Sequence, residues 1–555
     1  MEKVLGIDAG TWNSSVAAVV DGELRLFTGL PGAKRVASAI SVDSRGAVYA
    51  GDTARRRAVL EPYNTVVTPC RLLGRFPSDE PVQRVAAHSP VRLVSGPAGQ
   101  ATVNLCDTVY AIPEIVGQLL SHLRTLAEQG LGEPVSKAVL AVPTCFGDAQ
   151  RQALLLAARL AGLEVLRLVS SPMAAAIAAT APDSPPRRLL VVDAGGGQTG
   201  AAVIDCRGRL FEVIGQAGES GAGVLDVDAA LCAALSEEFE RSTSGGELAR
   251  NLTARTRLLF AAENAKRSLD QHEQVRIRLR ELVRGGEWQV DFDSFLDRVT
   301  VDHLAQSYTE SVLAVADEAL QASAAAPGSI DGFLLFGGGA YFKSVPRDLR
   351  VLAGSEALPI DDPASCVAAG AARLAAALTG NPSMAVEEIG LLAIESMSAD
   401  LSIAASGGYR EVLIPAGVRL PIAAHRVFTT SQDGQTQVRI LFFQGTRGTA
   451  SDDCKLGEFV LDGLKPAARG DVRIDVGFEI DCDGLLHVSA RDLETGHRTA
   501  SDVRISQTVV EQALAAVREA RGLSEDTLRN PIGGQRSGRT APPVAKPTSA
   551  PGEQS

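Results

Sequence analysis

Residues 4–13 read VLGIDAGTWN and residues 189–200 read LLVVDAGGGQTG. In both, an apolar, β-favouring run ends on Asp-Ala-Gly, a short polar turn comes next, and a second apolar run leads into a hairpin turn and another strand. The hairpin turns are Asp21-Gly22 and Cys206-Arg207-Gly208. Asp8 and Asp193 stand 185 positions apart, about the length of one domain. This repeat predicts two similar α/β halves, each offering one glycine turn to a shared cleft. Gly195, Gly197 and Gly200 also satisfy G-x-G-x-x-G, but that fingerprint requires a helix at its last glycine. The next residues, AAVIDCRGRLFEVIG at 201–215, form a hairpin pattern, so a dinucleotide fold is set aside. Glycines that merely make a tight turn are the other reading of one such element, and the repeat outweighs it.

Two facing glycine turns suit a polyphosphate. Glycine has no Cβ to obstruct an anion, and concave rows of backbone N–H groups favour negative charge. Asp8 and Asp193 would be repelled by phosphate unless a hydrated Mg²⁺ stood between them.

With 555 residues, 45% hydrophobic and 4% aromatic, the chain is globular and long enough for three or four folded units. A formal charge of −12 argues against a general nucleic-acid binder. The eight cysteines form no C-x-x-C pair, which disfavours a zinc site or disulfide framework and fits a reducing compartment. The N-terminus enters a strand without a signal peptide, and no uninterrupted apolar stretch has membrane-spanning length, so a cytoplasmic location with no membrane partner is expected.

Residues 1–380 alternate strands with Ala-rich helical stretches such as 149–161 and 225–240, an α/β pattern. A breaker cluster, Thr379-Gly380-Asn381-Pro382-Ser383, precedes an expected linker at 381–396, apolar over 389–394. Residues 397–506 break into short alternating runs between Gly- and Asp-rich turns, an all-β domain. Helical periodicity over 508–521 stops at Gly522, giving a short helical segment at 507–530, and the Pro/Gly/Ser-rich 531–555 reads as disordered.

These features together are similar to the heat-shock protein 70 (DnaK-type) chaperone family, whose actin-like ATPase domain precedes a peptide-binding β-sandwich. The stretches that carry the resemblance are GIDAGTWNSS at 6–15, NTVVTPCRLLGR at 64–75, VPTCFGDAQRQA at 142–153, AENAKRSL at 262–269 and ARGDVRIDVGFEIDCDGLLHVSARD at 468–492. It implies ATP or ADP with Mg²⁺ as cofactor. Gly10, Thr11, Trp12 and Asn13 would form the first phosphate turn, and Gly195, Gly196, Gly197 and Gln198 the second. Asp8 and Asp193 would reach the metal through water, and with Thr11 they make up the catalytic set. LLFGGGAYFKSVP at 334–346 resembles the adenosine loop, with Gly337, Gly338, Gly339 and Tyr341 near ribose and base. Glu263, Lys266, Arg267 and Asp270 fall where the family contacts the nucleoside. Without the resemblance, these charges read as a solvated helix face with Glu263 paired to Lys266.

Three positions depart from the family where the chemistry resides. Cys70 stands where the family has a lysine near the attacking water. Ser171 replaces a glutamate, and Gly200 replaces an aspartate. A cysteine with pKa near 8.5 is neither a cation nor mostly thiolate at neutral pH, and phosphoryl transfer rests on positioning and charge neutralisation. Weak or absent hydrolysis with retained nucleotide binding is the expectation. A redox role for Cys70 is the less favoured alternative.

The resemblance also makes Pro143 and Arg151 relay positions toward the linker, whose docking run is here Leu391-Leu392-Ala393-Ile394-Glu395. Leu401, Ile403, Phe428, Val438 and Ile440 match the peptide pocket, although alternating apolar residues also suit plain sandwich core. Ser406 and Ser431 match the residues that arch over the peptide. Most of the family's helical lid lacks a counterpart, so fast peptide release is expected. The implied partners are unfolded or extended polypeptides, with a J-domain co-chaperone and a nucleotide-exchange factor. A catalytically silent, nucleotide-dependent scaffold for one dedicated partner is the alternative, and a sugar kinase of the same superfamily is disfavoured by the β-domain.

Overall fold

The computed structural model describes residues 3–522 apart from 30–32, 182, 222, 244–247, 249–250, 270, 286–287, 327, 381–389, 405–409, 446–453, 497 and 504. The repeat read from the sequence becomes two sheets. In lobe I the strand order is Glu164–Ser170, Lys137–Val142, Val4–Asp8, Asn13–Val20, Glu23–Phe27. In lobe II it is Gly332–Phe336, Arg187–Ala194, Thr199–Arg207, Leu210–Glu219, Leu392–Ile394. Each strand bearing the Asp-Ala-Gly element lies between a parallel neighbour and its own hairpin partner. The register repeats as well, Asp8 facing Ser15 and Asp193 facing Gly200. No helix begins at Gly200, in keeping with the rejected dinucleotide fold; Thr199–Arg207 pairs instead with Leu210–Glu219.

Helices Ser171–Ala179 and Cys366–Leu378 pack on one another between the sheets. Their sequences, SPMAAAIAA and CVAAGAARLAAAL, offer almost only small side chains, which lets backbones approach closely. A Cβ on Gly370 would sit 1.7 Å from the Ala174 carbonyl oxygen, and one on Gly6 would sit 2.1 Å from the Ala372 nitrogen. The surrounding cluster draws Val4 and Val139 from lobe I and Leu189, Val191 and Leu334 from lobe II, so one core joins the two lobes.

The β-domain stacks two four-stranded sheets. One runs Arg410–Ile414, Asp400–Ala404, Gln437–Gly445, Cys454–Asp462, and the other Ile422–Thr429, Arg473–Ile480, Leu486–Asp492, Arg498–Val503. Inward residues of both meet around Phe442 and Phe478, whose rings contact edge to face at 5.7 Å. Part of the expected linker lies outside the described residues. Its end, Leu392–Ile394, joins lobe II as a parallel strand beside Leu210, Phe211 and Glu212. The last helix, Ile505–Ala520, rests on lobe I through Leu514 and Val517 against Leu156 and Leu160. Among the described residues no helix is long and apolar enough to cross a membrane.

Overpacking a well-filled helix contact costs about 1–3 kcal/mol, occasionally more. Gly370→Ala is therefore expected to lower stability by about 3 kcal/mol or more, measured by urea unfolding. An unchanged midpoint would contradict the close approach seen at Ala174.

Candidate nucleotide site

The two glycine turns face each other at the mouth of the interlobe core. Their local geometry repeats: a Cβ on Gly10 would meet the Asn13 carbonyl oxygen at 2.4 Å, and one on Gly195 the Gln198 carbonyl oxygen at 2.6 Å. Only glycine permits either turn. The turns also touch across the lobes, Gly196 facing Trp12 and Gly197 facing Thr11. Above them opens a cavity of about 360 Å³. Asp8, Gly10, Thr11, Trp12, Asn13, Asp193, Gly195, Gly196 and Gln198 line it on the side of the glycine turns. Glu263, Lys266, Arg267, Gly337, Gly338 and Tyr341 line the other end.

Asp8 and Asp193 are each half-buried, and both line the cavity. Burial pushes the Asp8 carboxyl up to about 7. Asp193 is raised well above the ordinary carboxylate range by burial and then by the charge of Asp8. Two such carboxylates favour a cation between them. Among the described residues no group of three or more His, Cys, Asp or Glu forms a complete ligand cluster. The pair therefore suits a metal that keeps several waters and shares phosphate oxygens, the habit of Mg²⁺.

Several residues are placed differently from expectation. Gly339 is buried against Tyr308 and the Ala194 side chain and does not line the cavity. Lys266 is not paired with Glu263; its ammonium bonds to the buried Asp228 carboxylate. Glu263 accepts a hydrogen bond from the Trp12 indole N–H at 2.7 Å and lies 3.6 Å from Arg267. The helix face read as solvated is thus half engaged across the lobes. Asp270 lies outside the described residues.

Of the three departures, Ser171 lines the cavity, its hydroxyl donating to the Val142 carbonyl at 3.3 Å. Cys70 is packed into the lobe I core. Burial, and secondarily the Asp8 charge, push its thiol up to about 12, so the group stays neutral and the redox reading loses its thiolate. Gly200 has a steric reason: a Cβ there would stand 2.5 Å from Thr144 Oγ1, which donates to the Ala217 carbonyl. Thr144 occupies the space into which a side chain at position 200 would project.

Sequence reasoning missed Tyr308, Arg35 and Arg298. The Tyr308 hydroxyl donates to the Gly195 carbonyl at 3.4 Å and so steadies the second turn from behind. Arg35 and Arg298 line the cavity. None of the three belongs to the repeated Asp-Ala-Gly element or to a stretch that carries the family resemblance, so neither signal marked them.

Away from the cleft, Glu395 is buried and accepts from the Ser170 backbone N–H at 2.8 Å. Arg151 donates to the Asp483 carbonyl at 2.9 Å, while the Asp483 carboxylate accepts from the Leu168 N–H at 2.9 Å. The β-domain is therefore seated directly on lobe I, and Pro143 lines the interlobe cavity one loop away. Within that domain Leu401, Ile403, Val438 and Ile440 are buried in the sandwich core, with Phe428 packed against it. Ser431 is exposed and bonds to Gln435, and Ser406 lies outside the described residues.

The family model described as "Hsp70 protein" matches residues 4–527. The chain belongs to the Hsp70 family. Among curated relatives, Chaperone protein DnaK of Thermus thermophilus is 33% identical over 532 residues, covering 95% of this chain and 85% of that protein. Chaperone protein DnaK of Buchnera aphidicola subsp. Schizaphis graminum is 33% identical over 519 residues, covering 93% and 80%. The α/β unit of two duplicated lobes is the actin-like ATPase fold of the Hsp70 family, and the β-sandwich comes after it. Within that family fold, Thr144 sets the room available at position 200. Gly200→Asp is expected to lower stability by about 1–3 kcal/mol, and the pair Gly200→Asp with Thr144→Ala should recover most of the loss. Equal melting temperatures for the wild type and the single variant would refute the steric account.

Proposed function

We propose that this chain is a chaperone that holds ATP or ADP with Mg²⁺ between its lobes, hydrolyses ATP weakly or not at all, and binds extended apolar peptide segments. The observation that carries the reading is the pair of glycine turns meeting over two half-buried carboxylates. Backbone N–H groups of Gly10, Thr11, Asn13 and Gly195, Gly196, Gly197 would cradle the phosphates, with Trp12 and Gln198 completing the turns. Asp8 and Asp193 would hold Mg²⁺ through water, and the ion would supply charge neutralisation. Gly337, Gly338, Tyr341 and Arg267 would border the nucleoside. Lys266 supports this side indirectly by fixing Asp228.

Weak hydrolysis is expected from the three positions at which this chain departs from the family pattern. Cys70 offers a neutral thiol, Ser171 a hydroxyl held by Val142, and Gly200 no side chain at all. Loss of one positioned group typically lowers the rate by about 10²- to 10³-fold, and grouped losses do not add. Binding depends more on backbone donors and should survive. Arg151, Glu395 and Asp483 would carry the nucleotide state to the β-domain. Peptide recognition would use main-chain hydrogen bonds along the sheet carrying Leu401, Ile403, Val438 and Ile440, with Phe428 on the opposing sheet. A J-domain co-chaperone and a nucleotide-exchange factor are the partners this reading implies.

The burial of those four apolar side chains favours a second reading, a silent scaffold with one dedicated partner. Calorimetric titration with ATP and ADP, with and without Mg²⁺, is expected to show Mg²⁺-dependent binding, and no affinity at millimolar nucleotide would end the proposal. Single-turnover hydrolysis should be slow, and Cys70→Lys should raise it by about tenfold or more. No change would place the deficit at Ser171 and Gly200. Nucleotide-stimulated release of many peptides supports the chaperone reading, and one partner without turnover supports the scaffold.

A further inference from the structure

Trp12 is the one large side chain in the first glycine turn, and its contacts cross the cleft. On the lobe I side, the Arg55 guanidinium lies 4.2 Å from the indole centroid and donates to the Trp12 carbonyl and to Asn13 Oδ1. On the lobe II side, the helix Leu252–Ser268 brings Phe260 to 6.2 Å from the indole and Glu263 to 2.7 Å from Nε1. The indole also forms a partition. It lines the 360 Å³ nucleotide cavity and a second cavity of about 190 Å³ behind it, walled by both lobes through residues such as Val67, Val85 and Leu259.

We propose that Trp12 is a latch between the lobes, a positioning residue that sets how fast the cleft opens and therefore how fast bound nucleotide leaves. The proposal rests on the nucleotide reading above. Opening must break a hydrogen bond to a buried carboxylate, which is stronger than a neutral one. It must also separate the indole from Phe260. The pair Lys34 with Asp362, 3.6 Å apart, lies at the start of the helix Cys366–Leu378, which packs on the lobe I sheet, and its lysine is largely exposed, so solvent weakens it. The buried Arg71 lies 3.6 Å from Asp226 and ties the lobes elsewhere, behind the partition. The Trp12 tie originates in the first glycine turn itself, so it couples occupancy of that turn directly to lobe closure.

Stopped-flow release of a fluorescent ADP analogue from the full chain, chased with excess ADP, tests this. Trp12→Phe keeps an aromatic ring and deletes the N–H donor, and it should speed release by about tenfold. Glu263→Ala should do at least as much, and the double variant should release no faster than the faster single, because both remove one interaction. Glu263→Gln retains an oxygen acceptor and should fall between wild type and Glu263→Ala. An unchanged rate in Trp12→Phe, or effects of the two singles that multiply, would overturn the latch. Failure of the wild type to bind the analogue would instead bring down the nucleotide reading. The latch is then judged by hydrogen exchange of the nucleotide-free protein, where Trp12→Phe should speed exchange along Leu252–Ser268 and equal protection would overturn it.

Discussion

The contact on which the rest depends is the packing of Cys366–Leu378 against Ser171–Ala179. Gly370 over Ala174 and Gly6 against Ala372 bring backbone to backbone at distances that no larger residue allows. Interiors packed at crystal-like density transmit position faithfully. This small-residue seam fixes the two sheets relative to one another, and the sheets carry Asp8 and Asp193 to the same point. The abundance of alanine and scarcity of aromatics in the composition acquire their physical meaning here.

At that point, electrostatics and sterics pull apart the binding and chemical roles of the cleft. On the reading proposed above, the donors that would face phosphate are backbone groups, insensitive to side-chain drift provided glycine remains. The three positions on which the weak-hydrolysis proposal rests are side-chain positions, each in its own setting: Cys70 is sealed in the core, Ser171 is turned to Val142, and Gly200 is backed by Thr144.

The seating of the β-domain rests on a few polar contacts with high stakes. Glu395 and Asp483 are carboxylates whose burial raises their pKa, offset by backbone N–H donors and by Arg151 and Arg167. Likewise Glu114, fully buried, is met by Arg518 and Arg521 of the last helix. Removing one partner of such a pair leaves a buried charge uncompensated, at about 3–5 kcal/mol. The linker strand, the Asp481–Asp483 corner and the last helix are therefore three separate attachments to the nucleotide unit.

Much of the fold was legible because it is written in local patterns. The doubled strand and Asp-Ala-Gly turn gave the two lobes, the hairpin after Gly200 excluded the dinucleotide fold, and alternation after residue 397 gave the sandwich. The two glycine turns were legible for the same reason, since tight turns demand glycine wherever they occur. Local sequence could not say who meets whom across the cleft. That Glu263 takes the Trp12 indole, that Lys266 takes Asp228, that Tyr308 steadies Gly195 and that Thr144 claims the space beside Gly200 are contacts between residues far apart in the chain. The sequence by itself determined the backbone turns and strands, because these are set by neighbouring residues. The tertiary structure alone decided which charges are free, which are paired and which are sealed from water, because burial and distance belong to the packed whole.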